Sequence, residues 1–160
     1  MHVIEVRPSR PDDGRVSALL RSLDDYLFRT YPAEVWGTEC NHILDLPQLL
    51  DPAITFLAAW RGEEPLGCGA VRRMRDAHGA YGEVKRMFVQ PAARGQRVGE
   101  RILLALEQAV RQDGIERLYL ETGIHQPEAQ RLYHRCGWTV CGPFGDYEEH
   151  PASVFMEKRL

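Results

Sequence analysis

The run Gly82-Glu83-Val84-Lys85-Arg86-Met87-Phe88-Val89-Gln90-Pro91-Ala92-Ala93-Arg94-Gly95-Gln96-Arg97-Val98-Gly99-Glu100 decides the fold. Glu83 to Val89 has the β-branched and aromatic content of a strand. Pro91, with no N–H to give a ladder, closes that strand near Gln90. Past a short turn, apolar residues recur at helical spacing from Ile102 through Val110. A helix opening at the end of such a loop points its first unpartnered N–H groups, and the positive end of its dipole, back into the turn. Arg94 and Arg97 flank that turn, and the combination attracts a pyrophosphate. On the loop alone, an ordinary strand-turn-helix with a solvated arginine pair is the competing reading.

A length of 160 residues suits one domain spanning 1–160 with its own core. The 44% hydrophobic and 27% charged composition is that of a globular chain. Net charge is −3, so no global basic field exists to hold nucleic acid. A basic segment leading into a long apolar run is missing at the start, and no apolar stretch approaches spanning length, which predicts a cytoplasmic protein without a membrane partner. Cys40, Cys68, Cys136 and Cys141 lack CxxC spacing, and the six histidines are scattered, so no metal site is expected.

Taken in order, Val3 to Val6 predicts a strand, and Asp12 or Asp13 then caps a helix carrying Val16, Leu19, Leu20, Leu23 and Leu27. The pattern weakens from Tyr31 to Pro52, with one or two helical turns over Leu44 to Leu50; this stretch reads as a substrate-side lid or as a plain connection. Ile54–Trp60 and Leu66–Met74 predict an antiparallel pair, with Gly67 and Gly69 marking a bulge or a close backbone approach. A GxGxxG fingerprint fails there because its third glycine would be Arg72. Ile115–Thr122 predicts a strand, Pro127–Cys136 a helix stopped by Gly137, and Trp138–Cys141 and Ser153–Lys158 two closing strands. This order describes an α/β (α+β) mixed central sheet of about six to seven strands flanked by helices, with a parallel crossover at its centre.

The loop resembles the signature of the GCN5-related N-acetyltransferase superfamily: Arg or Gln, two residues, Gly, one residue, then Gly or Ala. Arg94, Gln96, Val98 and Gly99 fit, whereas Arg97 stands in the place of the first Gly. With right-handed helical dihedrals, Arg97 would turn its side chain outward and keep its N–H for phosphate. A second match is Leu132-Tyr133-His134-Arg135-Cys136-Gly137-Trp138, similar to the family's Leu-Tyr-x-x-x-Gly-aromatic run. Leu120–Gly123, Pro143-Phe144-Gly145-Asp146-Tyr147 and Ser153–Met156 resemble one branch of these proteins whose acceptor the sequence does not name. The resemblance covers nearly the whole chain and implies an acyl-CoA N-acyltransferase fold and a small-molecule N-acetyltransferase activity with acetyl-CoA as cosubstrate and no metal.

By the same resemblance, acetyl-CoA falls to Met87, Phe88 and Val89, to the loop residues Arg94, Gly95, Gln96, Arg97, Val98 and Gly99, and to Gln126, which stands where the family often has Asn. A backbone N–H near Phe88 or Val89 is the implied oxyanion donor. Glu83 matches the implied carboxylate base, and Tyr133 the tyrosine that protonates the departing thiolate. The alternatives are a Glu83 paired structurally with Lys85 or Arg86, and a Tyr133 that is simply core. Arg72, Arg73, Arg75, Lys85 and Arg86 gather positive charge near the loop, and Asp146, Glu148 and Glu149 negative charge near the end. Arg72, Lys85 and Asp146 are the candidate contacts for a small amphoteric amine, with only one of each neighbouring charged pair facing the cleft because strand side chains alternate. A vestigial acyl-CoA-binding module and a modifier of protein amino termini or lysines are the other readings, and a homodimer is compatible with all three.

Overall fold

The computed structural model describes residues 2–32 and 44–160. Among them, β1 (Ile4–Pro8), β2 (Ile54–Arg61), β3 (Glu64–Asp76), β4 (Gly79–Val89), β5 (Arg117–Gly123), β6 (Thr139–Cys141) and β7 (Ser153–Arg159) form one sheet. Its order is β1-β2-β3-β4-β5-β7-β6. The helices are α1 (Gly14–Thr30), α2 (Leu46–Leu49), α3 (Val98–Arg111) and α4 (Pro127–Arg135), with a 3-10 turn at Pro91–Ala93. Each predicted strand and helix is present, with its ends moved by a few residues. The proposed lid lies largely outside the described residues; only its α2 turns are seen, started by an Asp45–Gln48 capping box. None of the described helices is long and apolar enough to cross a membrane.

Alternation along the strands splits the core in two. Phe56, Ala58 and Trp60 of β2, with Cys68 and Ala70 of β3, face α1 and its buried Val16, Leu19, Leu20 and Leu23. Leu57, Ala59, Val71, Val84, Leu118 and Leu120 face the other way, onto Val98, Ile102, Leu103, Leu106 and Val110 of α3. Fully burying such an aliphatic side chain contributes roughly 1.5–3 kcal/mol, so each helix is held mainly by its apolar stripe. Asp13 starts α1 by accepting the Arg15 N–H at 2.9 Å.

Two irregularities of β4 shape everything that follows. The β4–β5 pairing, alone in the sheet, is parallel, and it holds only over Gly82↔Leu118, Glu83↔Tyr119 and Val84↔Leu120. Strand β5 continues to Gly123 against β7, so from Lys85 onward the β5-facing edge of β4 has no ladder. On the other edge, Cys68 pairs with Phe88 but Ala70 pairs with Lys85, so Arg86 and Met87 together oppose Gly69. This is a β-bulge, and Arg86 occupies it at φ 57. A side chain at Gly69 would collide with the Met87 sulfur, and a Cβ at Gly67 would stand 2.7 Å from the Phe88 carbonyl oxygen. The two glycines thus mark the bulge and close approach that their spacing predicted. The bulge also overturns the expected alternation of Lys85 and Arg86: both side chains turn to the α1 side, Lys85 to Glu83 and Arg86 to Asp24.

Gly67→Val should therefore destabilise the fold by about 1–3 kcal/mol, since the obstructing atom is backbone and cannot rotate away. Gly14→Ala, with open space around its Cβ, should change stability little. Urea unfolding of the two variants checks the contrast.

Candidate active site

The strand-to-helix loop is built around two residues in left-handed backbone. Gly95 has φ 83, which suits glycine, and Arg97 has φ 60 and ψ 25 as the residue before α3. Right-handed dihedrals at Arg97 are thus not what the chain adopts. A side chain in this conformation costs roughly 1–2 kcal/mol, the physical reason a glycine is favoured at that position. No side chain caps α3, and its first helical bond runs from the Arg101 N–H to the Arg97 carbonyl at 3.1 Å. The N–H groups of Val98, Gly99 and Glu100 are left without an intrahelical acceptor. Arg94 folds back, its Nε donating to the Val89 carbonyl at 3.2 Å and its Nη1 lying 3.5 Å from the Glu128 carboxylate. Gln96 accepts from Arg61. Val98 is core, so only its backbone is available to a ligand. Gly99 is required by packing as well, because a Cβ there would stand 3.0 Å from Leu132 of α4.

Beside the loop, the Gln90 N–H donates to the Leu66 carbonyl at 2.9 Å. Alternation then turns the Val89 N–H the opposite way, into the gap where β5 has parted from β4, while Phe88 spends its N–H on β3. Phe88 packs its ring under α1, and Met87 faces α3. Gln126 lies across the same gap but is already engaged. Its side-chain oxygen accepts from the Gly123 N–H at 3.0 Å and from the Tyr31 hydroxyl at 3.2 Å. The Tyr31 oxygen in turn accepts from the His125 N–H at 3.2 Å. Gly123 is enclosed by both side chains.

On the α1 side of β4, at the last rungs of the parallel ladder, Glu83 is only 4% exposed. The Tyr147 hydroxyl donates to its carboxylate at 2.6 Å. The Lys85 ammonium lies 3.4 Å from the same oxygen and donates to the Tyr147 oxygen at 2.8 Å. Burial lowers the Lys85 pKa from its ordinary value, opposed by the charges of Glu83 and Glu121. Burial, and then the Glu83 charge, push the Tyr147 phenol up. Glu121 reaches this face from β5 and accepts from the Ser153 hydroxyl at 2.8 Å.

The remaining candidates divide between places. Arg72 pairs across the ladder with Glu83 and shares its face. Arg73 turns to the α3 side, to Asp113 at 2.6 Å and the Thr55 hydroxyl at 2.9 Å. Arg75 is exposed, and so is Asp146. Tyr147, which sequence reasoning gave no chemical role, turns inward from the same loop. Its signal was the aromatic pattern Phe144–Tyr147, which stacks with Tyr119 and Phe155 over the sheet. Tyr133, on α4, is 6% exposed and packs against Trp138 with ring centroids 6.1 Å apart. Burial pushes its phenol well above the usual value, so it stays protonated at neutral pH.

A sequence model of the Acetyltransferase (GNAT) family matches residues 17–138. The chain belongs to that family. The enzyme is therefore an acyltransferase, of the class whose members move acetyl groups. It is 45% identical over 157 residues to an IAA acetyltransferase of Azospirillum brasilense, covering 98% of each chain. Its fold matches a Klebsiella pneumoniae crystal structure assigned as an acyl-CoA N-acyltransferase, with TM-score 0.80, 37% identity and coverage of 99% and 98% of the two chains. It also matches the PaiA N-acetyltransferase of Thermoplasma acidophilum, solved in complex with coenzyme A, with TM-score 0.76 and coverage of 99% of each chain; at 18% identity that likeness is one of fold.

In this acetyltransferase, Arg97→Gly should raise the stability of the free protein by about 1 kcal/mol, because it relieves the left-handed side chain. The same change should weaken coenzyme A binding if the guanidinium meets phosphate. Thermal shift with and without coenzyme A separates the two effects. A second expectation concerns alkaline pH. The folded-state pKa values of Tyr133 and Tyr147 lie above that of an unfolded tyrosine, about 10. Their contribution to stability is complete below about pH 10 and is lost as pH rises above it, because only the unfolded chain then releases the protons. In urea titrations, Tyr133→Phe and Tyr147→Phe should each flatten that loss.

Proposed function

We propose that this enzyme transfers the acetyl group of acetyl-CoA directly to the primary amine of a small, amino-acid-like acceptor within a ternary complex. The observation that carries the reading is a buried carboxylate, Glu83, on the strand whose β5-facing edge is left unpaired from Lys85 onward, toward the Val89 N–H. The residues present suit acetyl-CoA. Open N–H groups at the start of α3, with Arg94 and Arg97, offer donors and charge to a pyrophosphate. The unpaired edge of β4 offers hydrogen bonds to an extended amide-bearing arm.

In this reading the acceptor arrives as an ammonium ion and must shed two protons overall. One leaves to Glu83, freeing the nitrogen lone pair to attack the thioester carbon. As the C–N bond forms, the carbonyl π pair moves to oxygen, and the Val89 N–H stabilises it. When the pair returns, the C–S bond breaks and the sulfur departs with its electrons. The Tyr133 phenol meets that sulfur as a neutral donor. An ordinary thiol has a pKa of about 8.5, so outright transfer from a phenol raised by burial is uphill. Its main contribution is a hydrogen bond to the thiolate, with the second amine proton restoring the balance. The Lys85 ammonium and the Tyr147 hydroxyl hold the Glu83 carboxylate aimed until the amine arrives.

Glu83→Gln should lower kcat by roughly 10²–10⁴ and remove the acidic limb of the kcat/KM profile, with coenzyme A affinity unchanged. Tyr133→Phe should be most impaired with acetyl-CoA and less so with an acyl donor whose leaving group is more acidic; Glu83→Gln should gain nothing from that donor. Wild-type rates across pH in a folded Glu83→Gln variant would place the base elsewhere. Absence of turnover with every amine tried, despite coenzyme A binding, would make the chain a binding module.

A further inference from the structure

The bulge delivers a second cation to the acceptor side of β4, and its bonding is incomplete. Arg86 is only 6% exposed in its side chain. Its Nη2 donates to the Leu20 carbonyl at 3.4 Å, a long bond, and stands 2.8 Å from Asp24 Oδ1. That second contact is close but misdirected, since Asp24 Oδ1 is buried without a hydrogen bond. The Nε and Nη1 of Arg86 are also buried and have no hydrogen-bond partner among the described residues. A guanidinium cannot give up its proton to escape this, and each buried donor left unmet is unfavourable.

The pair is thus poorly suited to be a strut between α1 and β4. A strut would align its hydrogen bonds, as Arg117 does with both Asp76 oxygens at 3.2 and 2.7 Å. Asp24, by contrast, is 37% exposed in its side chain and forms the solvent-side neighbour of Arg86. It neutralises the guanidinium without satisfying it, which is how a place-holding counter-ion behaves. Arg86 lies three residues from Glu83 on the same strand, and the bulge turns both to the same face. An acceptor whose amine meets Glu83 would extend along β4 toward Arg86. Of the other arginines near the loop, Arg73 is bound on the far face and Arg75 is exposed at the end of β3, while Arg72 shares the Glu83 face from the neighbouring strand.

Building on the acetyl-transfer reading, we propose that Arg86 is the anion-recognition residue of the acceptor site, taking a carboxylate or another oxyanion of the acceptor in exchange for Asp24. Its unmet N–H groups select acceptors that carry an amine and an anion, and Asp24 tunes affinity by competing for the same cation.

The test compares a series of amino acids of increasing chain length, each with a free carboxylate, against their carboxamide counterparts. Wild type should favour the carboxylate member of the best pair through KM. Arg86→Gln should raise that KM by roughly 10–100-fold, the loss of a charge-assisted bond, and leave the carboxamide's KM and the affinity for coenzyme A nearly unchanged. Asp24→Asn should act in the opposite direction and lower the carboxylate's KM. Equal loss on both members, or no carboxylate preference in wild type, would overturn the proposal. A measurement without acceptor judges it independently. Arg86→Met should leave the Tm of the free protein unchanged or raised, because it removes unmet buried donors, whereas a marked fall in Tm would show a strut and overturn the proposal. Turnover of no amine at all would instead defeat the acetyl-transfer reading, with the Tm result still standing on its own.

Discussion

One extra residue in β4 sets the character of this molecule. Because Arg86 and Met87 together oppose Gly69, the strand changes its facing halfway along. Before the bulge, β4 pairs with β3 and, over Gly82 to Val84, with β5 as well. After it, the strand pairs only with β3 and presents a bare edge to the gap left by β5. The same displacement sends Met87 into the α3 layer and leaves Phe88 under α1, so each core layer is completed by a residue from the irregular segment. A regular strand here would bury Arg86 among the aliphatic side chains of α3, at a desolvation cost. The bulge, the two β3 glycines and the divergence of the strands are consequences of one packing arrangement.

The polar cluster beside it obeys a different constraint. Glu83, Lys85 and Tyr147 are removed from most water, and none of them would be tolerable alone. A buried carboxylate without partners costs several kcal/mol, and so does a buried ammonium. Together they exchange three hydrogen-bonded contacts, with Tyr147 in the middle accepting from one and donating to the other. The arrangement leaves the carboxylate oriented, in a setting of low dielectric that strengthens its hydrogen bonds.

Much of this could be read from the chain before any coordinates. Strand and helix positions followed from periodicity and from Pro and Gly placement, because in this chain those local signals agree with the tertiary arrangement. Gly67 and Gly69 announced the bulge, since two glycines on one strand face imply something pressed against it. The exact facing of Lys85 and Arg86 was not legible. Alternation is the only rule a sequence offers there, and a one-residue insertion in the pairing defeats it. The left-handed backbone of Arg97 was not legible for a related reason: nothing in an arginine announces such a conformation, which the surrounding loop imposes. The contact of Tyr147 with Glu83 was not legible either, because it spans 64 residues of the chain. No spacing rule connects a loop near the end of the chain to a strand in its middle.

Gly123 carries an implication for how this sequence can drift. Its missing side chain is the space into which the Tyr31 hydroxyl and the Gln126 amide fit, and those two are bonded to each other there. Any larger residue at 123 would evict Tyr31, and with it the hydrogen bond by which the end of α1 holds the His125 N–H. Conversely, a chain that loses Tyr31 removes the penalty on a side chain at 123 and frees the Gln126 oxygen for another partner. The three positions are coupled by packing and hydrogen bonding. In descendants of this sequence, the identity of residue 123 would report whether helix α1 is still fastened to the far side of the gap.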